Sequence, residues 1–425
     1  MSRRQKLIAT LVILITACLL FYPTLSTHLR ATALLLRIEN PKTTNPIATL
    51  GTHSTAETPL TIGTARARLY SPIGVTNPPG LIIVHGIHHL GIEEPRLVGF
   101  ARAFSQAGVT VLTPEIKDLA DYRITPQGIQ VIGEAAAELH HRLGHPVGVL
   151  GLSFSGGLAL MAAADPRYRN DIAFVVSVGG HDDMARVARF LATGKTTRPD
   201  GSEVTMLPHE YGALVLVYSQ VDRFFSAQDV PAASEALRLW LYEQPDAARA
   251  NEAELSPAGR AKMDLLFSKH RETLRDELLA DIATNESQMA AVSPHGKLGG
   301  IQCPVLLLHG TGDEVIPASE SQWLASEIAP QYLRAVLISP AITHVEVGGA
   351  PSFGDKLRLV HFMSQIFSLL NRWLWSPNFV ILRLLLPKDP YHSANFSHEP
   401  SWPASNATNK LLDILPTFTI DMNIA

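Results

Sequence analysis

Three residues that are far apart in the sequence carry the side chains of a hydroxyl nucleophile, a carboxylate and an imidazole base: Ser153, Asp313 and His344. A serine hydroxyl is a weak nucleophile near neutral pH until an imidazole accepts its proton and a carboxylate orients that imidazole. Each of the three follows an apolar, strand-like run. These residue types therefore predict acyl transfer through a covalent serine intermediate, if the fold brings them together.

Ser153 lies at a predicted corner between a short strand and a helix. Residues 147–152 are apolar or glycine and favour β-structure, whereas the residues after Gly157 suit a buried helix. Glycine and serine around the corner let two backbones approach a strained residue. Ser155 is an alternative nucleophile in a frame shifted by two residues. We favour Ser153 because the strand ends right before it, and we predict that Ser155 packs in the turn or caps the helix.

Asp313 and His344 stand beyond the ends of two later predicted strands, at residues 303–308 and 333–339. Because the carboxyl ends of parallel strands share one edge of a sheet, both side chains are expected at the edge where Ser153 lies. Alternative carboxylates near this edge are Glu314, Asp182 and Asp183.

The elements that must position these residues alternate between strands and helices. Predicted buried strands at 80–85, 109–113, 147–152 and 172–178 are separated by amphipathic helices, and the rhythm resumes at 303. Parallel strands need such helical crossovers, so we predict an α/β fold with a doubly wound, mostly parallel sheet. Residues 60–70 are predicted as one edge or antiparallel strand.

A mainly helical stretch interrupts the rhythm at residues 181–300. It is too long for a bare loop and is predicted to be an inserted helical cap. The cap divides the core into residues 58–180 and 301–372. Residues 373–425, rich in Pro, Ser and Asn, are predicted to be a C-terminal tail.

The chain resembles the α/β-hydrolase family over roughly residues 58–370. The likeness rests on the strand–serine–helix corner, on the order Ser…Asp…His and on the turn His85-Gly86 after an early strand. It implies Ser153 as nucleophile, His344 as general base and acid, and Asp313 as the orienting carboxylate. It also implies an oxyanion hole formed by the backbone N–H groups of Ile87 and Phe154, and no cofactor. Where the family pattern has a second glycine, this chain has Ser155.

The resemblance implies a serine esterase or lipase-like hydrolase acting on a small-molecule or lipid-like acyl substrate. An acyltransferase or a peptidase could use the same triad, and a catalytically silent binding module could keep the same fold. The intact Ser, Asp and His argue against the silent module.

Net charge and histidine spacing argue against two other classes of function, nucleic-acid binding and metal binding. The net charge of −4 and the absence of long basic blocks argue against nucleic-acid binding. His85, His88 and His89 have no carboxylate or cysteine ligand at a fitting spacing, so no metal is predicted there. The oligomeric state is open.

The N-terminus has the layout of a membrane-targeting segment. Arg3, Arg4 and Lys6 precede a mostly apolar run from residue 7 to 22. Because no small-residue cleavage site follows, we predict that residues 1–25 are a transmembrane signal anchor, followed by a linker at 26–57. The basic flank places the catalytic body on the extracytoplasmic side. The alternatives are a cleaved signal peptide, lipidation at Cys18 and, least favoured because of the position and the basic flank, a core helix of the globular domain.

Overall fold

Twelve strands lie in the part of the chain that the structure describes. They were observed in a computed structural model, in which residues 3–268, 271–343, 351–371 and 420–421 are described. The strands of these residues are β1 (Thr55–Ile62), β2 (Ala65–Pro72), β3 (Gly80–Val84), β4 (Thr110–Pro114), β5 (Val147–Leu152), β6 (Ile172–Val178), β7 (Lys195–Thr197), β8 (Glu203–Thr205), β9 (Val305–Gly310), β10 (Leu333–Ser339), β11 (Ile342–Thr343) and β12 (Ile420–Asp421).

α-Helices connect most of the strands and cover the sheet. Those of the described residues are α1 (Arg3–Glu39), α2 (Pro46–Thr49), α3 (Pro95–Gln106), α4 (Lys117–Ala120), α5 (Gln127–Leu143), α6 (Phe154–Ala164), α7 (Met184–Thr193), α8 (Tyr211–Ser219), α9 (Val221–Phe224), α10 (Val230–Leu241), α11 (Pro245–Asn251), α12 (Pro257–Phe267), α13 (Arg275–Thr284), α14 (Glu286–Ala291), α15 (Ser319–Glu327) and α16 (Phe353–Leu370).

Eight strands form the main sheet in the order β1-β2-β4-β3-β5-β6-β9-β10. The pairs β1–β2 and β2–β4 are antiparallel, and every other neighbouring pair is parallel. Two-stranded pairs are formed by β7 with β8 and by β11 with β12. This arrangement confirms the predicted α/β class with a mostly parallel sheet.

The sheet has an apolar layer on each face, as a doubly wound fold requires. In β3, Leu81 and Ile83 pack with residues of α1, α3 and α16, whereas Ile82 and Val84 pack with residues of α5 and α6. Successive side chains of a strand point to opposite faces, so a strand buried on both sides must be apolar throughout. This accounts for the unbroken apolar runs of the central strands.

Among the described residues, the interval between β6 and β9 holds eight α-helices, α7 to α14, and the small β7–β8 hairpin. Its helix α8 is buried nearly all round, and Trp240 stacks on Phe267 with ring centroids 3.9 Å apart. The insert therefore has packing of its own and is helical, as the sequence predicts.

The predicted strand at 60–70 is a hairpin. Gly63 has a positive φ of 54° and turns the chain between β1 and β2, which pair from Ile62–Ala65 outward. A left-handed conformation of this kind favours glycine. The antiparallel pairing agrees with the prediction, but the expectation of one continuous strand was wrong because the two-residue turn at Gly63 and Thr64 was not recognised.

The segment predicted as a linker differs most from expectation. Residues 26–39 continue helix α1, and Ala31, Leu34 and Leu35 are buried in the layer that contains α3 and α16. Arg30 donates to the Ala107 carbonyl and to Asn371 Oδ1, each at 2.7 Å. The apolar run at 31–36 is thus part of the core, because it fills a groove on the body. Residues 55–57 belong to β1.

Among the described residues, no helix is long and apolar enough to cross a membrane. The transmembrane anchor predicted over residues 1–25 therefore has no support from the structure, and the extracytoplasmic position of the body stays a prediction. Most of the predicted tail, residues 373–419 and 422–425, lies outside the described residues.

Candidate active site

Ser153 occupies the turn between β5 and α6 in a strained backbone conformation. Its φ is 56° and its ψ is −134°, a combination that costs a non-glycine residue roughly 1–3 kcal/mol. The Ser153 N–H donates to the Val178 carbonyl at 2.7 Å, so the end of β6 holds the corner in place. Strain of this size persists where the surrounding structure fixes it, and it clusters at functional sites.

The corner depends on residues without a bulky side chain. A Cβ atom on Gly151 would lie 2.3 Å from the Ser155 carbonyl oxygen, and one on Gly156 would lie 2.4 Å from Ser177 Oγ. Both distances are far below van der Waals contact. Strand β5 and helix α6 can therefore pack this closely only with glycine at these positions.

We expect Gly151→Ala to lower the stability of the protein by about 1–3 kcal/mol, because its methyl group meets backbone atoms that cannot move aside. Gly99→Ala is the matched control. Gly99 lies within α3 with nothing within 4 Å of its added Cβ, so alanine there should stabilise by about 0.4–1 kcal/mol. Urea unfolding of both variants measures the difference. Equal midpoints for the two would contradict the packing described for the corner.

Ser155, the alternative nucleophile, lies inside α6 and is fully buried. Its hydroxyl donates to the Leu152 carbonyl at 2.7 Å, with the Val84 carbonyl at 3.1 Å. This explains how serine replaces glycine at the position: the hydroxyl ties the first turn of the helix to the ends of β5 and β3. A hydroxyl held in this way serves the structure of the corner.

Asp313 follows β9 and is buried, with 1% of its surface exposed. Its Oδ1 accepts from the N–H groups of Val315 at 3.0 Å and Ile316 at 2.9 Å. A Cβ on Gly179 would lie 3.4 Å from Asp313 Oδ2, so this oxygen faces the residue just beyond β6. Because Val178 binds the Ser153 N–H, the end of β6 lies beside both predicted residues.

His309 also contacts Asp313, with Nε2 3.3 Å from Oδ2. It is fully buried in β9. Its Nδ1 is 2.7 Å from Ser321 Oγ and its Nε2 is 2.8 Å from the Ile316 carbonyl. Both nitrogens are thus engaged, Nε2 with the loop that carries Asp313 and Nδ1 with helix α15.

His344, the predicted base, lies outside the described residues. The chain can be followed to Thr343, directly before it. Strand β10 runs parallel to β9 and pairs Ser339 with Gly310, so the segment leading to His344 leaves the sheet at the edge where Asp313 lies.

The predicted oxyanion donors come from two neighbouring strand ends. Ile87 is buried three residues beyond β3, and Phe154 is the first residue of α6. An N–H group at the first turn of a helix has no intrahelical acceptor, and the helix dipole there favours negative charge. The pairing of Val84 with Gly151 sets the two loops side by side.

His85 fixes the loop that carries Ile87. Its Nε2 accepts from the Ile116 N–H at 3.0 Å, and its Nδ1 lies 2.7 Å from the Gly86 carbonyl. These contacts assign the neutral tautomer with the proton on Nδ1. Burial lowers the pKa of His85, which keeps the ring neutral. His85 thus has a structural role. His89 stacks on Tyr242 of the insert, with ring centroids 5.1 Å apart.

Tyr211 of the insert lies close to Asp313. Burial and the nearby Asp313 carboxylate raise its pKa. The backbone N–H of His209 donates to the Glu314 carbonyl at 2.8 Å, so this part of the insert sits on the loop after Asp313. The sequence alone does not indicate this proximity to Asp313, because it depends on how the insert folds back.

Asp182, an alternative to Asp313 as the predicted carboxylate, forms an ion pair with Arg186. Its Oδ2 accepts from Arg186 Nη2 at 2.7 Å, and Arg186 Nε donates to Glu320 Oε1 at 2.5 Å. Burial raises the pKa of Asp182 to about 6. Glu320 Oε2 in turn accepts from the N–H groups of Asp182 and Asp183 at 2.9 Å. This buried ion-pair network, which the sequence did not predict, fastens the start of the insert to α15.

Known structures resemble this fold. A candidate hydrolase from Legionella pneumophila superposes with a TM-score of 0.50 at 16% identity, covering 81% of this chain and 95% of that one. An esterase from Pyrobaculum calidifontis has a TM-score of 0.38 at 16% identity, with 83% and 92% covered. An acylaminoacyl peptidase from Pyrococcus horikoshii has a TM-score of 0.40 at 13% identity, with 80% and 45% covered.

No protein-family model matches the sequence, and no curated protein is significantly similar to it. At identities this low a structural match establishes the fold alone, and of the three matches only the first reaches a TM-score of 0.5. That match covers 81% of this chain, and the sheet of this chain is mostly parallel with helices on both faces. The chain therefore has the α/β-hydrolase fold, with a helical insert between β6 and β9.

Proposed function

We propose that the protein is a serine hydrolase that cleaves a carboxylic ester or a related acyl bond through an acyl-enzyme on Ser153. The observation that carries this proposal is the strained backbone of Ser153, with φ of 56°, at the junction of β5 and α6. Such a turn presents a hydroxyl at the carboxyl edge of the sheet. Asp313, in the loop after β9, lies against Gly179 at the end of β6, and this position supports the proposal.

In the proposed mechanism, Ser153 Oγ attacks the carbonyl carbon of the substrate and His344 takes the hydroxyl proton. The charge that develops on the carbonyl oxygen is stabilised by the N–H groups of Ile87 and Phe154. The C–O bond to the leaving alcohol then breaks, and His344 returns the proton to that alcohol. Water, deprotonated by His344, attacks the acyl-enzyme, and the carboxylic acid leaves Ser153 with its proton restored.

Asp313 has the geometry of an orienting group. Two backbone N–H groups hold its Oδ1, which fixes the plane of the carboxylate. Its buried position strengthens its interaction with an imidazolium, since screening by water is weak there. We assign His344 as its partner because the chain leaves β10 toward the same edge.

Hydrolysis of aryl esters tests this function. We expect the full-length protein to hydrolyse p-nitrophenyl esters and to be labelled by a fluorophosphonate probe. A panel from acetyl to palmitoyl chains would define the acyl pocket, and added alcohols or amines would reveal acyl transfer as extra ester or amide product. Absence of both labelling and hydrolysis across the panel would contradict the proposal.

A further inference from the structure

Three side chains with metal-ligating atoms converge away from the proposed triad. They are Asp182, just beyond β6; His295, near the end of the insert; and Glu327, the last residue of α15. One ligand atom from each lies within 4.8 Å of the others. His295 Nδ1 is 3.3 Å from Asp182 Oδ2 and also contacts Glu327 Oε1 closely.

This cluster carries excess negative charge. Asp182 and Glu320 are fully buried and Glu327 is mostly buried, whereas Arg186 is the cation paired with the first two. The three carboxylates and the one guanidinium together carry a formal charge of about −2. Two further positive charges would neutralise it.

Asp182 has an unused ligand position. Its side chain is completely buried, and among the described residues its Oδ1 has no hydrogen-bond partner. A buried carboxylate oxygen without a partner is costly. A cation held by both oxygens of Asp182, with Oδ2 as the oxygen that faces His295, would satisfy it.

The spacing of the ligands fits a small transition-metal ion. Zinc binds imidazole nitrogen and carboxylate oxygen at about 2.0–2.2 Å in a tetrahedral arrangement, which puts two ligand atoms about 3.3–3.5 Å apart. His295 Nδ1 and Asp182 Oδ2 are 3.3 Å apart. Glu327 Oε1 lies closer than this to His295 Nδ1, because a hydrogen bond joins the two atoms in this structure. A bound metal ion would replace the proton of that hydrogen bond.

An ion could reach the cluster from solvent. His295 is half exposed and lines a polar cavity of about 230 Å³ together with Asp183, Ser293 and Lys297. A hydrated ion fits this volume, and a water molecule on the open side of His295 would complete the coordination.

We propose that Asp182, His295 and Glu327 form a binding site for a divalent transition-metal ion of the zinc class. The site connects the two ends of the helical insert, which already meet through the His295 N–H and the Asp182 carbonyl at 3.0 Å, to helix α15 of the core. The ion stabilises the junction of the insert and the core and takes no part in acyl transfer.

Calorimetric titration of the chelator-treated, full-length protein with Zn²⁺ tests the site. We expect the wild type to bind Zn²⁺ at this site and to melt several degrees higher when it is bound. His295→Gln should weaken this binding by roughly tenfold or more, because a direct ligand is lost, and should abolish the rise in melting temperature. His141→Gln is the matched control, since His141 is exposed on α5, and should behave as wild type.

Glu327→Gln is a second, independent variant that keeps the side-chain shape, and it should weaken binding in the same direction. The site is wrong if the wild type shows no Zn²⁺ binding, or if the His295 and Glu327 variants bind as the wild type does. Neither result would bear on ester hydrolysis, which is measured separately with metal-free protein.

Discussion

Ser153→Ala is expected to lower kcat for ester hydrolysis by roughly a millionfold while leaving the protein folded. Loss of the serine in a serine hydrolase removes the covalent pathway and leaves only binding and oxyanion stabilisation. The alanine keeps the Ser153 backbone contact with Val178, so stability should change little. Fluorophosphonate labelling and kcat on an aryl ester measure the effect, and unfolding by urea verifies the fold.

Ser155→Ala is the matched control for this variant. Its hydroxyl holds the Leu152 and Val84 carbonyls, so we expect labelling and turnover to persist while stability falls by about 1–3 kcal/mol. The opposite result, in which labelling survives Ser153→Ala and disappears in Ser155→Ala, would move the nucleophile to Ser155.

Asp313→Asn is expected to lower kcat by roughly 10⁴-fold with little change in KM. The amide oxygen can still accept from Val315 and Ile316, so the loop should keep its shape. The amide cannot stabilise an imidazolium as a carboxylate does, and it favours the wrong histidine tautomer. Steady-state kinetics with an aryl ester, together with the rate of fluorophosphonate labelling, measure both consequences.

Glu314→Gln provides the comparison, since it removes a charge one residue away in the same loop. Glu314 contributes its backbone carbonyl to the insert, which the substitution leaves in place, so activity should stay near that of the wild type. If Glu314→Gln is inactive and Asp313→Asn is not, the carboxylate of the triad has been assigned to the wrong residue.

Local periodicity was enough to predict the parallel sheet and the corner at Ser153. Buried strands such as β5 are apolar throughout, and the change to helical spacing after Gly157 marks the corner. The hairpin at Gly63 was missed because its turn, Gly63-Thr64, is not one of the dipeptides that most strongly mark a two-residue hairpin. Helix α1 was taken for an anchor and a linker, since nothing in residues 31–36 shows that α3 and α16 leave a groove for them.

The buried network of Asp182, Arg186 and Glu320 could not have been predicted for a different reason. Arg186 and Glu320 are separated by the rest of the insert and by β9, so their contact depends on how the insert returns to the sheet. Arginine and glutamate are usually exposed, and without the fold they would be assigned to the surface. Contacts that rest on long-range packing leave no periodic signal.

The Ser153 corner, the loop that carries Asp313 and the start of the insert all lie next to the end of β6. Val178 binds the Ser153 backbone, Gly179 lies against Asp313, and Asp182 leads into the insert through its pair with Arg186. Anyone who transplants a foreign insert onto this scaffold should therefore keep residues 177–186 and join the new segment after them. A junction placed nearer to β6 would disturb the contacts of Ser153 and Asp313 with the end of that strand as well as the start of the insert.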